Sequence, residues 1–298
     1  LKEALKVVPL LPEIYDEPFG DTSAIPTILV SKLAREHVKV SLSADGGDEQ
    51  YAGYNRYKLF DQLNKIKQIP MSRYGLNALH KLGIFKGISK VKSGWVHHEH
   101  RFQKLRTVLN HSNNHDMIRW LSSPFHTHDF YEGRLNTNYE RNDSGPSLYQ
   151  IWDMCHYLPD DILTKVDRAT MSVSLEGREP LLDHHLIEKS FQCPYKYKIR
   201  GGYKKYPMRK ILSKYVPNEL TDQPKKGFGI PLNEWLQKEL YNTVYETLST
   251  ANYDLIECMD SGMLQELVSK YKSSPDTEHP LKIWYLYVFF SWYNRWMK

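Results

Sequence analysis

One stretch, VKVSLS at 38–43, alternates apolar and polar side chains clearly enough to predict a β-strand. Nearly every other patterned segment of the 298 residues repeats with a helical period. The expected fold class is mainly α, with few strands and with 38–43 as the edge or the only substantial strand of a small sheet.

The helical pattern begins at 2–11 and is expected to end at Pro12. Asp21, Thr22 or Ser23 would cap a helix whose apolar face holds Ile28, Leu29 and Leu33, with Pro26 in its first turn. YNRYKLFDQLNKI, LNALHKL, RFQKLRTVL, MIRWLSS and SLYQIWDMCHYL read as further helices. So does DDILTKVDRATMSVSLE, with Ile162, Val166, Ala169 and Val173 on one stripe and Asp161, Lys165, Arg168 and Ser172 on a polar stripe beside it. YKYKIRGGYKKY predicts a tight reversal at Gly201-Gly202, YPMRKILSKYVP a helix with Pro at its start, and PKKGFGIPL a glycine loop before NEWLQKEL. The apolar run IWYLYVFFSWY at 283–293 is too short to span a bilayer and predicts a buried terminal helix, so no membrane partner is expected.

Composition narrows the function classes. A formal charge of +5 suits an anionic substrate but is too small and too scattered for nucleic-acid binding. The densest basic stretch, with Lys86, Lys90 and Lys92, reads as a solvated face. Cys155, Cys193 and Cys258 form no CxxC pair and no zinc spacing, which fits a reducing, cytoplasmic setting. His97, His98, His100, His126 and His128 lack Cys or carboxylate companions at ligand spacing and read as loop histidines. No secretory signal opens the chain, and its start at Leu1 in mid-pattern suggests a piece of a longer protein.

The strand ends in SADGGDE, which crowds Asp45, Asp48 and Glu49 around Gly46 and Gly47. In an open parallel sheet, ligands bind off the carboxyl ends of strands. Like charges this close are costly unless a cation offsets them, and Mg²⁺ commonly bridges protein carboxylates to substrate phosphates. A surface turn is the alternative, because Asp and Gly are common in turns.

Four motifs resemble one family in the same order. DEPFGDTSAIP is similar to its DEPFxDxSxxP, SADGGDEQYAGY to SGDGGDExFxGY, DDILTKVDRATMSVSLEGREPLLD to DxLxKxDRxSMxxSLExRxPFLD, and DQPKKGFGIPLNEWL to RPKKGFGIPxxxWL. These resemble the asparagine synthetase family, whose members join a glutamine-hydrolysing amino-terminal domain to an ATP-dependent synthetase domain. The resemblance implies that residues 1–298 are a single, partial synthetase domain. The implied fold is the C-terminal part of an α/β adenine-nucleotide α-hydrolase-like, ATP pyrophosphatase domain. The implied chemistry is adenylation of a carboxylate, aspartate or a related acid, followed by attack of glutamine-derived ammonia, with ATP and Mg²⁺ as cofactors. A homodimer is compatible with it.

The resemblance also distributes roles. Asp48 matches a Mg²⁺-binding carboxylate. Asp45 matches an acidic residue near the reacting carboxylate and amine, where it could orient or deprotonate the amine. Lys225, with Lys226 as its alternate, matches a loop lysine that stabilises developing charge. Lys165 and Arg168, one helical turn apart, would reach phosphate, and Asp21 and Ser23 would meet the acceptor. Glu49 is expected to support the turn as a hydrogen-bond acceptor, and Glu176, Arg178 and Asp183 to form buried ion pairs.

Departures matter too. The family's pyrophosphate-gripping SGGxDS loop and its nucleophilic amino-terminal cysteine have no counterpart in the sequence, so this chain alone is expected to be inactive. Ala44 replaces a usual Gly, Leu181 a usual Phe, and Pro207 interrupts a lysine-rich helix start. Two other readings stand beside the ligase: a helical binding or scaffold module that has lost catalysis, and a β-lactam-synthetase-like cyclase, which would need Tyr where Asp45 stands.

Overall fold

The computed structural model describes residues 2–69, 113–122, 145–221, 229–256, 260–273 and 280–298. Helices dominate, and the described strands are β1 (Val40–Leu42) and β2 (Glu176–Arg178), paired in parallel with Val40 opposite Glu176 and Leu42 opposite Arg178. The sequence pattern anticipated β1 and missed β2. A three-residue Glu-Gly-Arg strand has no apolar alternation to reveal it, and its partner lies far away in the chain. The apolar face of β1 is not buried as alternation predicts: Val38, Val40 and Leu42 are exposed, Leu42 at 73%.

Two apolar clusters carry the packing. The larger joins the amino-terminal residues Val7, Val8, Leu11 and Tyr15 to Ile25 and Ile28, and to the carboxyl-terminal Trp235, Leu236, Trp284 and Phe290. The smaller gathers Tyr57, Phe60, Met117, Ile118, Leu148 and Tyr149. The terminal helix Pro280–Trp296 buries Ile283, Trp284, Leu286, Tyr287 and Phe290, as its sequence predicts. Three of its indoles also pin the amino-terminal segment, with Trp284, Trp292 and Trp296 donating to the carbonyls of Gly20, Asp16 and Pro12. Gly20 is required there, because a Cβ would overlap the Tyr285 ring.

Several boundaries differ from expectation. Pro12 does not end the first helix; it opens a short one, Leu11–Ile14, where its missing N–H has no partner to lose. In Ala24–Arg35, Ile28 is buried but Leu33 is exposed, so the apolar stripe is narrower than its pattern. Residues 146–171 form three consecutive helical segments: Pro146–Trp152, an 11-residue π-helix Asp153–Leu163 containing Pro159, and Thr164–Met171. π-Helical segments are rare and gather at functional sites. Glu176 and Arg178 pair at 2.7 Å but are exposed rather than buried. Asp183 is instead the cap of His184–Gln192, accepting from the N–H groups of His185 and Leu186. The reversal at Gly201-Gly202 is present, with both glycines at positive φ and Arg200 bridged to Tyr203. LNALHKL, RFQKLRTVL, His97, His98, His100, His126 and His128 lie outside the described residues, as do Lys86, Lys90 and Lys92.

Candidate functional site

The acidic turn disperses its carboxylates in three directions. Ala44 to Gly46 lead from β1 into a one-turn helix, Gly47–Gln50. Gly46 sits at φ 85°, and a Cβ there would overlap the Leu182 side chain, so the bend needs glycine twice over. Asp45 Oδ2 accepts from the Ser43 hydroxyl. Asp48 Oδ1 lies 3.0 Å from Lys205 Nζ. Glu49 is buried, accepts from the Tyr54 hydroxyl at 2.7 Å, and is raised above the usual carboxylate range by its burial. The crowding seen in the sequence is thus relieved by separate partners, one of them a lysine ammonium.

A buried polar cage holds the turn from behind. Arg56 Nη2 meets Asp153 Oδ2 at 2.8 Å, and the Asp153 side chain is 0% exposed. The guanidinium stands 4.4 Å from the Tyr54 ring centroid and 4.2 Å from that of Tyr157, a cation between two aromatic faces. Burial pushes the Asp153 carboxyl up, and Arg56 opposes that. Gln150 donates to the carbonyls of Glu49 and Gln50, which would otherwise be unsatisfied ends of a one-turn helix. Arg56 and Tyr54 therefore link the turn to the π-helix through Asp153 and Tyr157, and Gln150 links it to the preceding helix Pro146–Trp152.

A second cluster gathers residues that the sequence treats separately. Lys165 Nζ lies 2.8 Å from Asp21 Oδ2 and 2.9 Å from Ser23 Oγ, and Lys165 is nearly buried at 9%. Burial would raise Asp21, but the Lys165 charge and hydrogen bonds from Lys165 and Ser23 hold it below the usual range. Asp161 goes the other way: burial, reinforced by Asp21, pushes it up to about 6. The Thr164–Met171 helix separates two clefts. One, of about 570 Å³, is lined by Tyr15, Asp16, Glu17, Phe19, Asp160 and Arg168 among others. The other, of about 300 Å³, is lined on the β2 side by Asp167, Thr170, Glu176, Gly177 and Glu179 among others. Arg168 faces the first and pairs with Asp16 at 2.6 Å. Glu179 is raised by burial and then by the charges of Asp45 and Asp167.

Asp21, Ser23 and Lys165 are thus brought into one unit, and Asp45 and Asp48 share the turn but face different partners. Lys225 and Lys226 lie outside the described residues. Sequence reasoning missed Lys205, Arg56 and Asp153. A second lysine after Gly-Gly carried no signal of its partner, and nothing local ties Arg56 to an aspartate 97 positions away.

The donor set decides what kind of metal could bind. Among the described residues, no three His, Cys, Asp or Glu side chains converge as a cage. Asp48 offers one carboxylate, and the Lys205 ammonium shows that a positive charge is accommodated against it. Such a site fits Mg²⁺ carried in on phosphate oxygens and keeping its waters, not an ion held by protein alone.

A family model for asparagine synthase matches residues 2–297. The chain belongs to the asparagine synthase family. It is 27% identical over 297 residues to asparagine synthetase [glutamine-hydrolyzing] 1 of Bacillus subtilis, covering 98% of this chain and 46% of that protein. It is 28% identical over 312 residues to a putative asparagine synthetase [glutamine-hydrolyzing] of Mycobacterium bovis, covering 96% and 44%. It is also 22% identical over 296 residues to amidase chyE of Penicillium rubens, covering 87% and 42%. The chain spans a little under half the length of these curated relatives. No solved structure matches. Among the described residues, no helix is long and apolar enough to cross a membrane.

Proposed function

We propose that this chain supplies one side of the active site of an ATP-dependent amide-forming ligase, with the fold of an ATP pyrophosphatase domain. The reaction is adenylation of a carboxylate, aspartate or a related acid, followed by attack of glutamine-derived ammonia. Family membership supports amide formation at the level of the class, and the observation that carries the site is the acidic turn at the end of β1, with Asp48 facing a cation. Asp48 would hold the Mg²⁺, which supplies neutralisation of phosphate charge. Asp45, steadied by Ser43, would orient the amine or take its proton. Lys225 or Lys226 would meet the developing oxyanion. Lys165 holds Asp21 and Ser23 as one polar unit beside the Tyr15–Phe19 cleft, where Asp21 and Ser23 would position the acceptor and Arg168 a phosphate oxygen.

The sequence has no SGGxDS loop, so the chain alone is expected not to complete the reaction. The test is acceptor-dependent pyrophosphate release from ATP, for the chain alone and for the intact natural protein that contains it. Release by the intact protein, lost in Asp48→Asn and in Asp45→Asn, is the expected result. Equal release by the chain alone overturns the half-site reading; no release with any acid overturns the ligase reading.

A further inference from the structure

Lys205 is not placed by accident of a flexible surface. Its backbone is left-handed, at φ 54° and ψ 34°, a conformation that a non-glycine residue seldom adopts. Its N–H donates to the Tyr51 carbonyl at 3.2 Å, and its own carbonyl accepts from Arg209 at 3.0 Å. Next to it, Lys204 Nζ donates to Asn55 Oδ1 at 2.9 Å. The reversal at Gly201-Gly202 is therefore tied to the segment following the acidic turn by backbone and side chain. Gly53 leaves the slot open: a Cβ there would overlap the Asp48 carboxylate and lie 2.5 Å from Lys205 Cε. Side-chain exposures of 31% and 22% leave both partners within reach of solvent and of a ligand.

We propose that Lys205 is the tethered counter-ion of the acidic turn, neutralising Asp48 without ligand and passing to the phosphate oxygens when a divalent cation takes its place on Asp48. The inference rests on the reading that Asp48 meets a cation-bound polyphosphate. An ammonium and a divalent ion compete for the same carboxylate oxygen, so the lysine must weaken binding of the bare metal. A polyphosphate brings its own negative charge, so the same lysine must strengthen binding of the metal–phosphate complex. Opposite signs on two ligands distinguish this role from a merely structural one, which would weaken both.

The probes are Mn²⁺ alone and Mn²⁺ with inorganic pyrophosphate, titrated into the intact natural protein by calorimetry and by electron paramagnetic resonance of free Mn²⁺. In Lys205→Met, Mn²⁺ alone should bind about three- to fivefold more tightly, the scale of a half-exposed ion pair. Manganous pyrophosphate should bind about tenfold or more weakly, the scale of a lost charge-assisted contact. Lys205→Arg keeps the charge and should move both affinities less than twofold, which covers the case in which the Met variant does not fold. Changes of the same sign, or none, in the Met variant overturn the proposal, as does a same-sign loss of fivefold or more in the Arg variant. If Asp48→Asn leaves both affinities unchanged, it is the underlying reading of the turn that fails; if it abolishes them while Lys205→Met has no effect, only the role of Lys205 fails.

Discussion

Replacing Arg56 by Met tests the cage behind the acidic turn. Methionine keeps the apolar stem and removes the cation. Three aromatic contacts are lost: the two closest, at 4.4 and 4.2 Å, are worth about 1 kcal/mol each, and the third, over Tyr149 at 5.5 Å, contributes less. Asp153, fully buried, also loses its ion partner. Breaking a buried pair costs roughly 3–5 kcal/mol when the remaining charge cannot escape. Asp153 can escape by taking a proton, because burial already holds its carboxyl above the usual range. Without Arg56 that carboxyl is pushed further up. Native and variant proteins are then both protonated at low pH and differ only by the ring contacts, about 2 kcal/mol. Between the two carboxyl pKa values the difference grows by about 1.4 kcal/mol per pH unit. Urea denaturation at pH 5, 6.5 and 8 should therefore show a destabilisation of about 2 kcal/mol rising toward 4 or more. A loss that is the same at all three pH values would refute the idea that Asp153 is held ionised by Arg56. A loss below 1 kcal/mol would refute the cage altogether.

Gly53→Ala forces a Cβ into the Asp48 carboxylate, so it should cost roughly 1–3 kcal/mol in denaturation experiments and disturb Mn²⁺ binding; an unchanged urea midpoint with unchanged Mn²⁺ affinity would contradict the close approach. Asp161 binds its proton more tightly folded than unfolded, so the stability associated with it is present at low pH and lost as pH rises through about 6. Asp161→Asn should remove roughly 2 kcal/mol of that decline, read from urea midpoints at pH 4.5 and 7.5; an unchanged decline would contradict the assignment. Asp183→Ala deletes the cap of His184–Gln192 and should lower stability by about 1 kcal/mol while leaving manganous pyrophosphate affinity unaltered.

What could be read from the sequence was what lies in local periodicity. The terminal helix, the polar and apolar stripes around Lys165 and Ala169, and the bend after β1 all announce themselves within a few turns. β2 did not, because a Glu-Gly-Arg strand is defined by its partner and not by its own pattern. Spacing puts Leu33 on an apolar helix face and Leu42 in an alternating strand, yet spacing reports only that a face is apolar, not that something covers it; both are exposed. The sequence points Asp21 and Ser23 to the acceptor and Lys165 to phosphate, as two separate sets. Their meeting in one hydrogen-bonded unit depends on packing between Ala24–Arg35 and Thr164–Met171, which no local rule encodes. The same holds for the pairing of Asp48 with Lys205.

The winding of the 153–163 segment has a consequence for how this chain can change. Asp153 at its start serves Arg56, while Lys165, two residues past its end, serves Asp21. Each residue of a normal helix advances the phase by about 100°, so removing one position between them would swing one of those side chains far off its mate. Shortening the segment to ordinary pitch would therefore uncouple the two charge centres, and drift in length here should be far less tolerated than drift in composition.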